Sequence, residues 1–175
     1  MESANILQAI AEAAIGLAGF GGIAAGLGYR ARGEWSDQDR TRLIQMVVSS
    51  LAVVFACFLP YAVYHLGGQQ PWFLSSAVLA LAPAWFLSFQ YRRVFAQTGP
   101  GSVTVQRGFS RSLAFFLFLV NLGALLLFVT VAFRFARPGL SFGLYLAAVM
   151  LLLVASAAVF VRLLSTSFVS DDPAD

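Results

Sequence analysis

The chain contains no lysine, one cysteine and one histidine. Each scarcity removes a class of function. Cys57 has no second cysteine to meet, so no disulfide forms within the chain and no redox compartment can be read from it. His65 cannot complete a zinc site without ligands from elsewhere, and with so few nucleophiles and bases there is nothing from which to build a Ser-His-Asp triad. The glycines of the 94–111 connection lack both the spacing and the lysine of a phosphate-binding loop, and Gly19-Phe20-Gly21-Gly22 follows no strand, so no dinucleotide fingerprint is present. The expectation is a protein that is not an enzyme, with no metal and no cofactor.

Charge is scarce as well. Charged residues make up 11% of the 175, against roughly 25% in an ordinary soluble domain. Hydrophobic residues make up 59%, and the mean hydropathy is +0.81. Such a chain is built for a lipid solvent. At about 20 residues per crossing it has room for four to six helices and none for a separate soluble domain.

The formal charge of +3 rests on arginine alone. These arginines stand at the ends of apolar runs, where they act as topology anchors; they form no clustered basic face of the kind that binds nucleic acid. Arginine without lysine, beside abundant Ala, Gly and Leu, is the composition expected from a GC-rich bacterial genome. That places the protein in a bacterial cytoplasmic (inner) membrane.

What is present is a series of apolar runs. They predict an all-α integral membrane protein with five transmembrane helices over residues 5–27, 43–66, 72–90, 112–133 and 140–164, in a single domain covering 1–169. The acidic tail, 170–175, reads as disordered. Residues 1–5 carry no positive charge and Glu12 interrupts the apolar run, so the first segment reads as a structural helix and not as a signal peptide.

Within the runs, Pro60 and Pro83 predict kinks. Ser36 and Asp39 read as a capping-box start for the second helix, with Trp35 at the interface. Tyr61, Tyr64 and His65 read as an interfacial belt, and Asn121 is placed for an interhelical hydrogen bond.

Orientation follows from the arginines. Five spans put Arg30, Arg32, Arg40, Arg42, Arg92, Arg93, Arg107, Arg111 and Arg162 on one side, and only Arg134 and Arg137 on the other. The positive-inside rule then predicts the N-terminus outside and the C-terminus in the cytoplasm.

The candidate functional residues lie on the first helix. At 100° per residue, Asn5, Gln8, Glu12, Gly16, Gly19 and Gly26 share one side. A carboxylate in an apolar span is costly, and such residues are often tied to ion or proton pathways. Glu12 is therefore the candidate ion-binding or pore-lining group, with Gln8 and Asn5 as polar lining. At helical rise it lies about 10 Å below the outer end, where hydration from outside or pairing with Arg134 or His65 would offset its cost.

Gly22 and Gly26 form a GxxxG, and with Gly16 and Gly19 they predict close helix packing, within the chain or between subunits. Two functions fit this pattern. One is an oligomeric channel or carrier for a cation or proton. The other is a non-transporting accessory or scaffold protein that docks a partner membrane protein or anionic lipid. Both imply contact with membrane lipid, and a homo-oligomer is expected because five short spans with small-residue faces enclose little by themselves.

Overall fold

The computed structural model describes residues 2–32, 37–66, 71–96, 111–135 and 137–167. Every regular element among them is helical: α1 (Glu2–Arg32), α2 (Asp37–His65), α3 (Pro71–Leu79), α4 (Leu81–Ala96), α5 (Arg111–Ala132) and α6 (Ser141–Ser167), with a 3-10 turn at Pro138–Leu140. Five helical stretches are long and apolar enough to cross a membrane: Ala4–Ala24, Met46–His65, Pro71–Ser88, Phe115–Ala132 and Ser141–Arg162. The all-α expectation and the five apolar spans are therefore found, and they are the make-up of an integral membrane protein. The expected cap at Ser36, the interfacial Trp35, the turn near Gly99 and the acidic tail lie outside the described residues.

Helix ends depart from the sequence expectation where hydropathy and helicity part company. Helix α1 continues past Leu27 to Arg32. The added residues include Ala and Arg, which are good helix formers, and no proline stops the ladder.

The two prolines act differently. Pro83 lacks the amide hydrogen that would bond the Leu79 carbonyl, and the third span breaks at Ala80 into α3 and α4. Bonds from Ala80 N to Ser76 O (2.9 Å) and from Ala84 N to Ala80 O (3.2 Å) carry the chain across the break. Pro60, by contrast, lies inside an uninterrupted α2.

The chain forms two compact units. The first comprises Met1–Val54 and Leu153–Asp175. Its core takes Leu7, Ile10, Ala11, Ala14 and Ala24 from α1, Met46, Ser50 and Val53 from α2, and Ala155, Ser156 and Val159 from α6. The steps of three and four residues are those that put one stripe of a helix on one side. The Ser50 and Ser156 hydroxyls meet at 2.7 Å, both fully buried, and tie α2 to α6. Gly21 faces Met46 so closely that an added Cβ would overlap its Sδ and Cε, with the Phe160 ring 3.5 Å away.

The second unit is Phe55–Leu152. Helix α5 buries Leu117, Val120, Asn121, Ala124, Phe128 and Val131 in one stripe, and it packs against α3 and α4. Asn121 turns its amide back to the Leu117 carbonyl (2.8 Å), a bond within its own helix; among the described residues the interhelical bond expected of it is not seen.

Tyr145 of α6, fully buried, stands among Trp72, Phe128 and Ala56. Its hydroxyl donates to the Ala56 carbonyl, the oxygen that Pro60 leaves without a helical donor. That substitute donor accounts for α2 running through its proline.

Helix α5 ends in a Schellman turn. Phe135 N bonds Thr130 O and Arg134 N bonds Val131 O, each at 3.1 Å, and Arg134 takes the left-handed φ of 57° usually held by glycine.

Candidate functional site

Helix α1 divides its residues between a core stripe and a free face. Leu7, Ile10, Ala11, Ala14, Gly21 and Ala24 point into the first unit. Asn5, Gln8, Glu12, Gly19, Gly22 and Gly26 are exposed, and Gly16 is half-buried. Ile10 and Ala24 are core residues. In lipid an apolar side chain serves either role equally well, so periodicity alone could not separate the two faces.

Glu12 and Gln8 are brought together. The Gln8 side-chain amide donates to Glu12 Oε1 at 2.9 Å, one helical turn apart on an exposed surface. The bond holds the carboxylate along the helix and uses one acceptor position of the several it has. Asn5 continues the exposed face toward the N-terminus. Glu12 falls two residues short of the middle of the Ala4–Ala24 apolar stretch. It thus lies nearer the centre of its span than the sequence expectation, because the apolar stretch begins and ends earlier than 5–27.

The partners of Arg134 and His65 lie within the second unit. The Arg134 guanidinium sits 4.8 Å from the centre of the Phe73 ring, a cation–π contact. His65 meets Tyr61 edge-on at 4.3 Å and Tyr64 at 5.7 Å between ring centres, and both tyrosines are exposed. The three rings thus form one cluster at the end of α2.

The four predicted packing glycines have open space where a Cβ would be, with nothing within 4 Å at Gly16, Gly19, Gly22 or Gly26. Within one chain, Gly21 makes the close approach instead. The glycine face is open, and beside it Ala13, Gly16, Leu17 and Phe20 of α1 form with Leu153, Val154 and Ala157 of α6 an apolar groove of about 450 Å³.

Sequence reasoning missed three buried polar arrangements: Tyr145 with Ala56, Ser50 with Ser156, and the hydroxyls of Ser75 and Ser76. The signal for the first was available, since Pro60 announces a freed carbonyl four residues back and a tyrosine within an apolar run needs a partner. The serines carry no such signal, because a helical serine can satisfy itself on its own backbone.

Among the described residues no group of three or more His, Cys, Asp and Glu side chains could hold a metal ion. Compared with known proteins, the chain matches no protein-family model, no curated protein and no solved structure.

Proposed function

We propose that this protein is a membrane channel or carrier for a cation or proton, working as a homo-oligomer, with Glu12 as the ion-binding carboxylate and Gln8 and Asn5 as its polar lining. The observation that carries this reading is the hydrogen-bonded Gln8–Glu12 pair on the face of α1 turned away from the chain's own core. A carboxylate within an apolar span is expensive against lipid. Its cost falls if a second copy covers the face and encloses water or ions between the subunits. The open glycine positions on the same side let a neighbouring helix approach closely.

The nine-to-two distribution of arginines supports an orientation with the N-terminus outside and the C-terminus in the cytoplasm, and composition supports a bacterial inner membrane. The chemistry assigned to the chain is binding and passage, not bond-making. The test is cation and proton flux in proteoliposomes for the wild type and Glu12→Gln; selective flux that the substitution leaves unchanged removes Glu12 from the mechanism.

A second reading rests on the same open face and its apolar groove. In it α1 docks another membrane protein, and the Arg-rich cytoplasmic loops hold anionic lipid. Stable co-purification with a defined partner, together with absence of flux by the isolated protein, would favour it.

A further inference from the structure

The turn between α5 and α6 combines two features that favour different solvents. Phe133 and Phe135 are 69% and 79% exposed, with their stacked rings 6.1 Å apart between centres, and Leu140 is exposed beyond them. Arg134 and Arg137 alternate with these apolar side chains and are exposed as well. Such a surface is too apolar for water and too charged for hydrocarbon. It fits the boundary where lipid headgroups meet acyl chains.

The backbone fixes both arginines. Arg134 takes the left-handed position of the Schellman turn that closes α5, and the Arg137 carbonyl accepts from Leu140 N (2.8 Å) and Ser141 Oγ (3.4 Å) where α6 begins.

These guanidiniums have no anion of their own unit to meet. From residue 40 to residue 170 the chain contains no Asp or Glu, so the whole second unit, Phe55–Leu152, is without a carboxylate. Glu12, in the first unit, takes its bond from Gln8. The Phe73 ring beside Arg134 offers a π face and no oxygen, which leaves the guanidinium N–H donors to be matched. Topology does not account for the pair either, since over five spans they are the two arginines on the side opposite the other nine.

We propose that Arg134 and Arg137 hold the phosphate of an anionic phospholipid whose acyl chains lie against Phe133, Phe135 and Leu140. Planar guanidinium forks match phosphate oxygens. A choline headgroup brings its own cation to the phosphate, whereas an anionic headgroup leaves the charge for the arginines. The source is a lipid and not a soluble phosphate because the same turn presents the guanidiniums and the exposed rings together. The site lies at the opposite end of the spans from the Arg-rich loops and is independent of the role proposed for Glu12.

The test is quenching of Trp72, half-buried and next in sequence to Phe73, by lipids brominated on their acyl chains. The full chain carries Trp35→Phe and Trp85→Phe, so that Trp72 alone reports, and is reconstituted in phosphatidylcholine vesicles with a minor fraction of phosphatidylglycerol. Mole for mole, brominated phosphatidylglycerol should quench several-fold more strongly than brominated phosphatidylcholine. With Arg134→Gln and Arg137→Gln added, the two should quench alike. Equal quenching before the arginines are changed would overturn the proposal, and that comparison needs no arginine variant to fold. A preference that survives both arginine substitutions would overturn it too. Inorganic phosphate should weaken the preference no more than sodium chloride of equal ionic strength; if phosphate alone abolishes it, the turn takes a free anion and the lipid assignment fails.

Discussion

The hydroxyl of Tyr145 donates to the carbonyl of Ala56, the backbone oxygen that Pro60 cannot serve. A side chain on α6 thus completes the hydrogen bonding of α2, where apolar surroundings supply no alternative. Tyr145→Phe removes the donor and little else, since the ring keeps its contacts with Trp72 and Phe128. The expected loss is about 1–3 kcal/mol, the cost of leaving a buried acceptor unsatisfied. Pro60→Ala restores the helical amide and should recover part of that loss, so a double-mutant cycle on unfolding of the purified protein should show coupling. Equal effects of Tyr145→Phe with and without Pro60 would mean that the bond is not what the hydroxyl contributes.

The fully buried contact between Ser50 and Ser156 calls for a different pattern. Polar pairs between membrane helices average about 0.6 kcal/mol and reach about 1.7. Ser50→Ala strands the Ser156 hydroxyl, so the single variant should lose about 1 kcal/mol. Adding Ser156→Ala should cost nothing further, because it removes the stranded group. Strictly additive losses would argue against the pair.

How much of this was legible in the sequence depends on which solvent a residue meets. The five spans were legible because length and hydropathy are local properties, and Pro83 marked a real break because a missing amide is a covalent fact. The orientation of α1 was not legible. In water, apolar means inside; in lipid, Ile10 and Ile6 are chemically alike, yet the first is buried and the second exposed. The neighbours Gly21 and Gly22 show the same limit. One abuts Met46 and the other meets open space, and no motif distinguishes them. The candidate site was legible as a chemical set, Asn5, Gln8 and Glu12, but not as a face turned away from its own chain.

That contrast is itself testable. Gly21→Ala places a methyl against the Cε and Sδ of Met46, so the flexible end of that side chain must turn aside and offset part of the helix-propensity gain. Gly22→Ala enters open space and removes a helix-weakening glycine, which favours the folded chain by up to about 1 kcal/mol. Gly22→Ala should therefore raise the unfolding midpoint more than Gly21→Ala does. If copies associate through the open face, Gly22→Leu should also shift the oligomer distribution seen by cross-linking, while the fold of each chain is retained.

Arg134 holds a left-handed backbone conformation that glycine would adopt without strain. Its guanidinium is offset against that strain by the Phe73 ring, a contact of about 0.5–1 kcal/mol at an exposed site. Arg134→Gly loses the contact and relieves the backbone, so it should stay within about 1 kcal/mol of wild type. Arg134→Ala loses the contact and keeps the strain, so it should be the less stable of the two. The reverse order in thermal unfolding would mean that the left-handed backbone at Arg134 carries no strain that glycine relieves.

The Gln8–Glu12 bond provides a graded test of the proposed ion site. Glu12→Gln removes the charge at nearly constant size and should abolish selective flux. Glu12→Asp keeps the charge but withdraws it by one methylene, beyond comfortable reach of the Gln8 amide now 2.9 Å from it. It should retain measurable flux at reduced rate. Gln8→Ala leaves carboxylate and reach intact and removes only the tether, so its effect should be the smallest of the three. A binding carboxylate positioned by its neighbour requires that order in proteoliposome flux. If Gln8→Ala proves as damaging as Glu12→Gln while chain stability and oligomeric state are unchanged, the amide contacts the ion itself. If all three carry wild-type flux, the polar face of α1 has another purpose, and partner capture by the open glycine surface becomes the reading to pursue.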